Sequence, residues 1–104
     1  MKEIKAVIRP FKLDAVLAAL HQVADLPALS VSDSQAVDTA HDLFERAPKV
    51  KIELMVPDDQ VEAVIGLILQ AAHTGNPGDG RIFVIPIEES VLIRTGERGG
   101  MPSW

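Results

Sequence analysis

The stretch with the clearest potential for chemistry is residues 73–83, HTGNPGDGRIF, in which three glycines precede a basic residue. Glycine lets backbone N–H groups approach phosphate oxygens closely, and Arg81 adds a guanidinium. The loop follows a predicted helix and precedes a predicted strand, which is the reverse of the Walker order. Loop amides and Arg81 would therefore hold an anion without a helix N-terminus. An ordinary helix-to-strand turn explains the same residues, and both interpretations stay open here.

Two further arginines lie near the C-terminus, in the run LIRTGERGG at residues 92–100. Arg94 and Arg98 carry guanidinium groups, whose planar donor geometry suits phosphate oxygens. Sequence spacing alone does not show that these arginines and Arg81 converge on one site.

Catalytic and metal-binding patterns are weak. The histidines show no spacing typical of metal ligands, and they stand at His21, His41 and His73. Asp58 and Asp59 read as acids at a helix start, where they complement the helix dipole. No serine occupies a nucleophile elbow. We therefore predict no catalytic residue, no metal site and no enzyme activity.

Composition indicates one globular domain over residues 1–104. The chain has 47% hydrophobic and 24% charged residues, and its only long apolar stretch, VEAVIGLILQAA, is too short to cross a bilayer. The start, MKEIKAVIRPFK, alternates polar and apolar residues and does not read as a signal sequence. The absence of cysteine fits a reducing compartment, and the net charge of −5 disfavours nucleic-acid binding. A cytoplasmic protein without membrane insertion is expected.

Hydrophobic periodicity predicts two similar halves. In the first half, a period of two over residues 4–8 indicates a strand, a helical stripe follows over 13–24, and LSVSDSQAV (29–37) reads as a second strand. In the second half, the predicted elements are a strand in VKIELMVP (50–57), a helical stripe over 61–72, a strand in RIFVIPIE (81–88), and a short strand or hook in SVLIRTG (90–96).

A shift of 48 residues superimposes the apolar positions of the two halves. Ile4 then falls on Ile52, and Leu20 falls on Ile68. Repetition of a strand–helix–strand unit predicts an α+β fold, the ferredoxin-like β-α-β-β-α-β sandwich.

The second face of the predicted sheet mixes apolar and charged side chains, namely Lys5, Val7, Arg9, Lys51, Glu53 and Met55. Such a face is poorly suited to water alone, and pairing between subunits would cover it. We therefore expect a homo-oligomer. The alternative is a monomer in which lysine stems lie over apolar neighbours.

Three segments together resemble the PII signal-transduction proteins: MKEIKAVIRPFKLDAV, PKVKIELMVPDD and TGNPGDGRIFVIPIEESVLIRTGE. The resemblance fails mainly between about residues 35 and 47. It implies a ferredoxin-like homotrimer with its sheets facing inward and a regulatory, non-enzymatic function. It also implies ATP or ADP binding in clefts between subunits, and a T-loop that docks onto target enzymes, transporters or transcription factors.

The resemblance assigns roles to individual residues. In the phosphate loop (residues 73–81), the residues matching those that wrap nucleotide phosphates are Gly78, Asp79, Gly80 and Arg81. Arg94, in the C-terminal loop at 94–104, matches a phosphate-binding arginine from the neighbouring subunit. The adenine pocket would be lined by Val7, Ser30, Glu53 and Met55. Leu92 replaces a second family arginine, and Arg98 could substitute for it.

The region corresponding to the T-loop, at about residues 36–47, departs from the family pattern. It is about ten residues shorter than usual and lacks the glutamine needed for 2-oxoglutarate and magnesium. The chain contains no tyrosine, so uridylylation of a T-loop tyrosine is impossible.

These departures favour a PII-like regulator of inorganic-carbon metabolism, associated with carboxysomes and sensing ADP or ATP together with bicarbonate. The first alternative is a conventional nitrogen regulator of an ammonium channel or glutamine synthetase. The second is a protein linked to metal efflux or divalent-metal binding, with weak ligands at His41, Asp42 and Glu45. The sequence does not identify the protein partner.

Overall fold

The computed structural model describes residues 1–23, 26, 28–37 and 46–100. In chain order the described elements are β1 (Lys2–Ile8), α1 (Leu13–Leu20), β2 (Ser30–Val37), β3 (Arg46–Val56), α2 (Val61–Ala72) and β4 (Gly80–Pro86). The strands form one sheet in the order β2-β3-β1-β4, and every neighbouring pair is antiparallel. This is the predicted α+β ferredoxin-like sandwich, and the fold prediction is confirmed.

The hydrophobic core lies between one sheet face and the two helices. Its fully buried large side chains come from both halves of the chain: Ile4, Ile8, Val16, Leu20, Ile52, Val56, Val64 and Ile68. These residues are pairs under the 48-residue shift, so the repeated pattern located the core correctly.

Each helix begins after a proline that ends the preceding strand segment. A single 3₁₀ turn follows in both halves, at Pro10–Lys12 before α1 and at Asp58–Gln60 before α2. The turns close with similar bonds, from Lys12 N–H to the Arg9 carbonyl and from Gln60 N–H to the Pro57 carbonyl, both 3.0 Å. Because proline lacks a backbone donor, it suits the edge of a strand and the start of a helix.

Some element boundaries differ from those predicted. Helix α1 ends at Leu20, although the apolar stripe continues to residue 24, and Val23 packs on the core from a bend instead. The stretch predicted as a short strand or hook is a hook: it contains only an isolated bridge between Val91 and Arg98. Two bonds close this C-terminal hook (residues 90–99), from Leu92 N–H to the Glu97 carbonyl at 2.8 Å and from Gly99 N–H to the Ser90 carbonyl at 2.9 Å.

The predicted T-loop is described only at its ends. Residues 36–37 complete β2 and residues 46–47 begin β3, so the two strands extend into the stretch assigned to the loop. Residues 38–45, including the weak metal ligands proposed there, lie outside the described residues, as do residues 101–104 of the predicted C-terminal loop. Within the described ranges, neither helix combines the length and apolarity that a membrane crossing requires.

Candidate functional site

The glycine-rich loop connects α2 to β4 and lies over the open face of the sheet at the end of β1. Gly80 starts β4 and pairs with Ile8 on β1. Its φ is +110°, and a Cβ atom there would stand 1.8 Å from the Val7 carbonyl oxygen. Only glycine allows this approach of two backbones, so part of the glycine content has a structural cause.

The Asp79 carboxylate organises the loop from within. Its Oδ2 accepts hydrogen bonds from the N–H groups of Thr74 at 2.8 Å and Gly75 at 2.9 Å. Its Oδ1 accepts from the Thr74 hydroxyl and from Arg9 Nε, the latter at 3.1 Å. The Thr74 hydroxyl, followed by these other donors, holds the pKa of Asp79 far below its usual value. The carboxylate is therefore ionised and engaged by the protein itself.

Two cations attach the loop tip to the sheet. Arg9 Nη2 donates to the Pro77 carbonyl at 2.7 Å, and Lys49 Nζ donates to the Gly78 carbonyl. The Lys49 side chain is only 7% exposed, which is unusual for lysine and requires such a partner. Sequence reasoning placed Arg9 on the open face but missed both loop contacts. The sequence held no signal for these contacts, because they follow from the pairing of Ile8 with Gly80, which brings Arg9 beside the loop.

The residues predicted to bind phosphate lie together. Four consecutive residues end the loop: Gly78, Asp79, Gly80 and Arg81. Arg81 is the second residue of β4, and its side chain is exposed. Arg81 stands directly opposite Val7 on β1, so both side chains are on the open face of the sheet. The structure thus places a guanidinium beside an apolar side chain and a glycine-rich backbone.

Three of the four predicted adenine-pocket residues form a separate group. Ser30 lies opposite Glu53 across β2 and β3, and both line a cleft of about 360 Å³ with Met55 and Glu3. Val7 does not line this cleft. On β1, Val7 lies two residues beyond Lys5, which pairs with Glu53. This separation is about 7 Å along the strand.

A carboxyl pair borders the same cleft. The hydrogen bond between Glu3 and Glu53, aided by desolvation, raises the pKa of Glu3. The same bond, with the nearby lysines, lowers the pKa of Glu53. One of these lysines, Lys51, has its Nζ 3.5 Å from Glu53 Oε1. The two carboxyl groups are therefore shifted in opposite directions by their mutual contact.

The C-terminal arginines lie in or beside the hook. Arg94 is exposed in its turn next to Ile93, which is 98% exposed. Arg98 Nη1 is 3.3 Å from Oε1 of Glu89, the residue just before the hook, so the charge of Arg98 is partly offset within the chain. Among the described residues, no hydrogen bond or ion pair joins either arginine to the loop that contains Arg81. The single chain does not assemble the three arginines.

No group of three or more histidine, aspartate or glutamate side chains in the described part of the chain is arranged to hold a metal ion. The three weak ligands of the metal-binding alternative lie outside that part.

Comparison with known proteins identifies the family. The family model of nitrogen regulatory protein P-II matches residues 1–97. Proteins named nitrogen regulatory protein P-II from Azospirillum brasilense and Rhodospirillum rubrum are each 46% identical to this chain over 110 positions, covering 96% of this chain and 97% of the relative. The relative from Bradyrhizobium diazoefficiens is 44% identical, with coverage of 95% and 96%. The chain belongs to the P-II (PII) family.

Membership in this family confirms the predicted resemblance and the prediction of a regulatory, non-enzymatic protein. PII proteins are regulatory signal transducers and not enzymes, and they are trimers that bind adenine nucleotides and regulate target proteins. The relatives carry the name of the conventional nitrogen regulator. The alignment with the Azospirillum protein uses 96% of this 104-residue chain over 110 positions, so about ten aligned positions have no counterpart here.

Proposed function

We propose that this protein is a homotrimeric regulator that binds ADP or ATP at the junction between subunits and controls a partner protein through the segment at about residues 36–47. The observation that carries this proposal is the loop ending in Gly78–Arg81, which is held in a defined shape over the open face beside Val7. A shaped glycine loop followed by a guanidinium is suited to a phosphate chain.

The distribution of the candidate residues supports a site shared between subunits. The loop, Arg81 and Val7 form one group, Ser30, Glu53 and Met55 form a second, and the exposed hook with Arg94 forms a third. A neighbouring subunit that brings its hook and its own cleft to this loop would complete the site. Small apolar walls with a few polar groups suit a purine.

Calorimetric titration with ADP tests the nucleotide assignment. Arg81→Ala should weaken ADP binding by about 1.5–3 kcal/mol, the scale of one hydrogen bond to a charged group. Lys12→Ala is the control, because it removes an equal charge from the turn before α1, where Lys12 Nζ lies 5.7 Å from the Phe11 ring centroid. Equal ADP affinity in both variants and the wild type would mean that the loop is only a turn.

Specific observations favour two of the possible pathways for this regulator. The names of the relatives favour nitrogen control. The missing glutamine and tyrosine, together with the aligned positions that this chain lacks, favour a regulator that has left nitrogen control and senses bicarbonate with its nucleotide. Titration of the ATP-loaded protein with 2-oxoglutarate and magnesium, or with bicarbonate, separates them. Tight 2-oxoglutarate binding would establish the nitrogen sensor.

A further inference from the structure

The loop proposed to receive phosphates contains a carboxylate, which by its charge alone would repel them. Asp79 stands between the two glycines that end the loop. Both of its oxygens accept hydrogen bonds from the protein, and its side chain is 23% exposed. The charge therefore serves a purpose within the loop.

We propose that Asp79 and Arg9 are positioning residues for the phosphate chain: the Asp79 carboxylate fixes the shape of the loop, Arg9 fixes the loop to β1, and neither side chain contacts the nucleotide. This inference rests on the proposed function, since it concerns the same site. It assigns to Arg9 a role that its position on the open face does not by itself indicate.

The contacts of Arg9 hold two points of the loop at once. Its Nε lies 3.1 Å from Asp79 Oδ1, and its Nη2 lies 2.7 Å from the Pro77 carbonyl. Gly78 leaves room for this guanidinium, because a Cβ atom there would be 3.3 Å from Nη2. A lysine in place of Arg9 would keep the charge but lose the planar two-point contact. The guanidinium also offsets the negative charge of Asp79, which reduces the repulsion between this carboxylate and a bound phosphate chain.

A positioning role and a purely electrostatic role of Asp79 predict opposite effects of Asp79→Asn on ADP affinity. If charge alone mattered, removal of a negative group beside the phosphates would strengthen ADP binding. If Asp79 positions the loop, ADP binding weakens by about tenfold or more, because an amide has one acceptor oxygen where the carboxylate has two. Adenosine carries no phosphate, so its affinity should stay within about twofold of wild type. Unchanged or tighter ADP binding overturns the proposal.

Arg9→Lys tests the second residue and keeps the proposal testable if Asp79→Asn does not fold. We expect Arg9→Lys to show most of the ADP affinity loss of Arg9→Met, because both lack the two-point contact. Lys12→Met is the matched control for charge and should stay within about twofold of wild type. Wild-type ADP affinity in Arg9→Lys would mean that Arg9 acts only through its charge, which overturns the proposal.

Amide hydrogen exchange in the ligand-free protein supplies a readout that needs no nucleotide. The N–H groups of Thr74 and Gly75 donate to Asp79, so their exchange should accelerate by about tenfold in Asp79→Asn, while amides in the centre of α2 stay unchanged. Unchanged exchange at both amides overturns the positioning role. Failure of the wild type to bind ADP would instead overturn the proposed function, whatever the exchange shows.

Discussion

At the scale of single residues, the loop before β4 depends on one carboxylate surrounded by donors. The sequence motif predicts that the run from Gly78 to Arg81 is a phosphate loop, because glycine and arginine have simple reasons to occur there. It did not reveal that Asp79 binds the Thr74 backbone and hydroxyl or the distant Arg9. Residues 9 and 79 meet only through the pairing of β1 with β4, which local sequence does not encode.

The low pKa of Asp79 predicts a stability that depends on pH. A carboxyl whose pKa is lowered by folding stabilises the protein above its unfolded pKa of about 4, and this stabilisation is lost as the pH falls toward the folded value. Asp79→Asn should therefore be less stable than wild type at pH 7, and the difference should shrink between pH 5 and pH 2 or so. Urea unfolding across this range measures it.

Asp59→Asn is the control for that series. Asp59 is exposed in the turn before α2 and makes no hydrogen bond or ion pair among the described residues. Its replacement should change the free energy of unfolding at pH 7 by no more than about 0.5 kcal/mol. A constant difference between Asp79→Asn and wild type at all pH values would contradict the assignment of the carboxylate as the stabilising group.

At the scale of elements, periodicity predicted most of the fold. The alternation in β1 and β3 and the stripes in α1 and α2 come from burial on one side, which leaves a regular mark in the sequence. The end of α1 was predicted too late because Val23 is apolar and contacts the core from a bend. The sequence of residues 90–96 does not distinguish a short strand from a hook, since a single bridge between Val91 and Arg98 imposes no period.

Two glycines in different elements should respond oppositely to alanine. Gly80→Ala places a Cβ atom against the Val7 carbonyl at a positive φ, so the free energy of unfolding should fall by about 1–3 kcal/mol or more. Gly66 lies inside α2, and a Cβ atom there meets nothing within 4 Å. Gly66→Ala should therefore raise the free energy of unfolding by about 0.5–1 kcal/mol. Chemical denaturation of both variants beside wild type checks the signs, and a neutral Gly80→Ala would refute the proposed backbone contact.

At the scale of the whole molecule, one chain presents surfaces that suit neighbours. The open face carries half-buried lysines and glutamates beside apolar groups, and the hook exposes Ile93 almost fully. Large apolar side chains exposed together in this way mark sites of association. The family is trimeric, and the proposed site requires that the hook of one subunit meets the loop of another.

A mixing experiment tests whether Arg81 and Arg94 serve one site from different subunits. Arg81→Ala and Arg94→Ala should each lose ADP affinity as separate proteins. If they are unfolded and refolded together in equal amounts, random assortment should restore about a quarter of the sites, because one junction in four then carries both arginines. Calorimetry of the mixture against each variant alone measures the restored fraction.

No restored sites in the mixture would show that both arginines act within one subunit. Wild-type ADP affinity in Arg94→Ala alone would instead show that Arg94 is not used. As a control, Arg81→Ala is unfolded and refolded alone, and no ADP-binding sites should be restored. Sizing of the mixture by light scattering establishes that trimers have formed again.

Sequence could predict the parts of the candidate site but not its assembly. Residue type alone suggests a use for glycine, arginine and small apolar residues. Their convergence on one site, as proposed, would depend on contacts between subunits, which the sequence of one chain does not encode. The pathway is harder still, because the segment that departs from the family pattern is where a partner would be recognised.

The Asp79 carboxylate would affect the rate of ligand exchange as well as the binding affinity. Because side-chain hydrogen bonds already fix the shape of the loop, its backbone would need little rearrangement when an anion binds. If the proposed site is correct, dissociation of the nucleotide already bound, and not rearrangement of the loop, would limit how fast the protein responds to a change in ADP or ATP concentration.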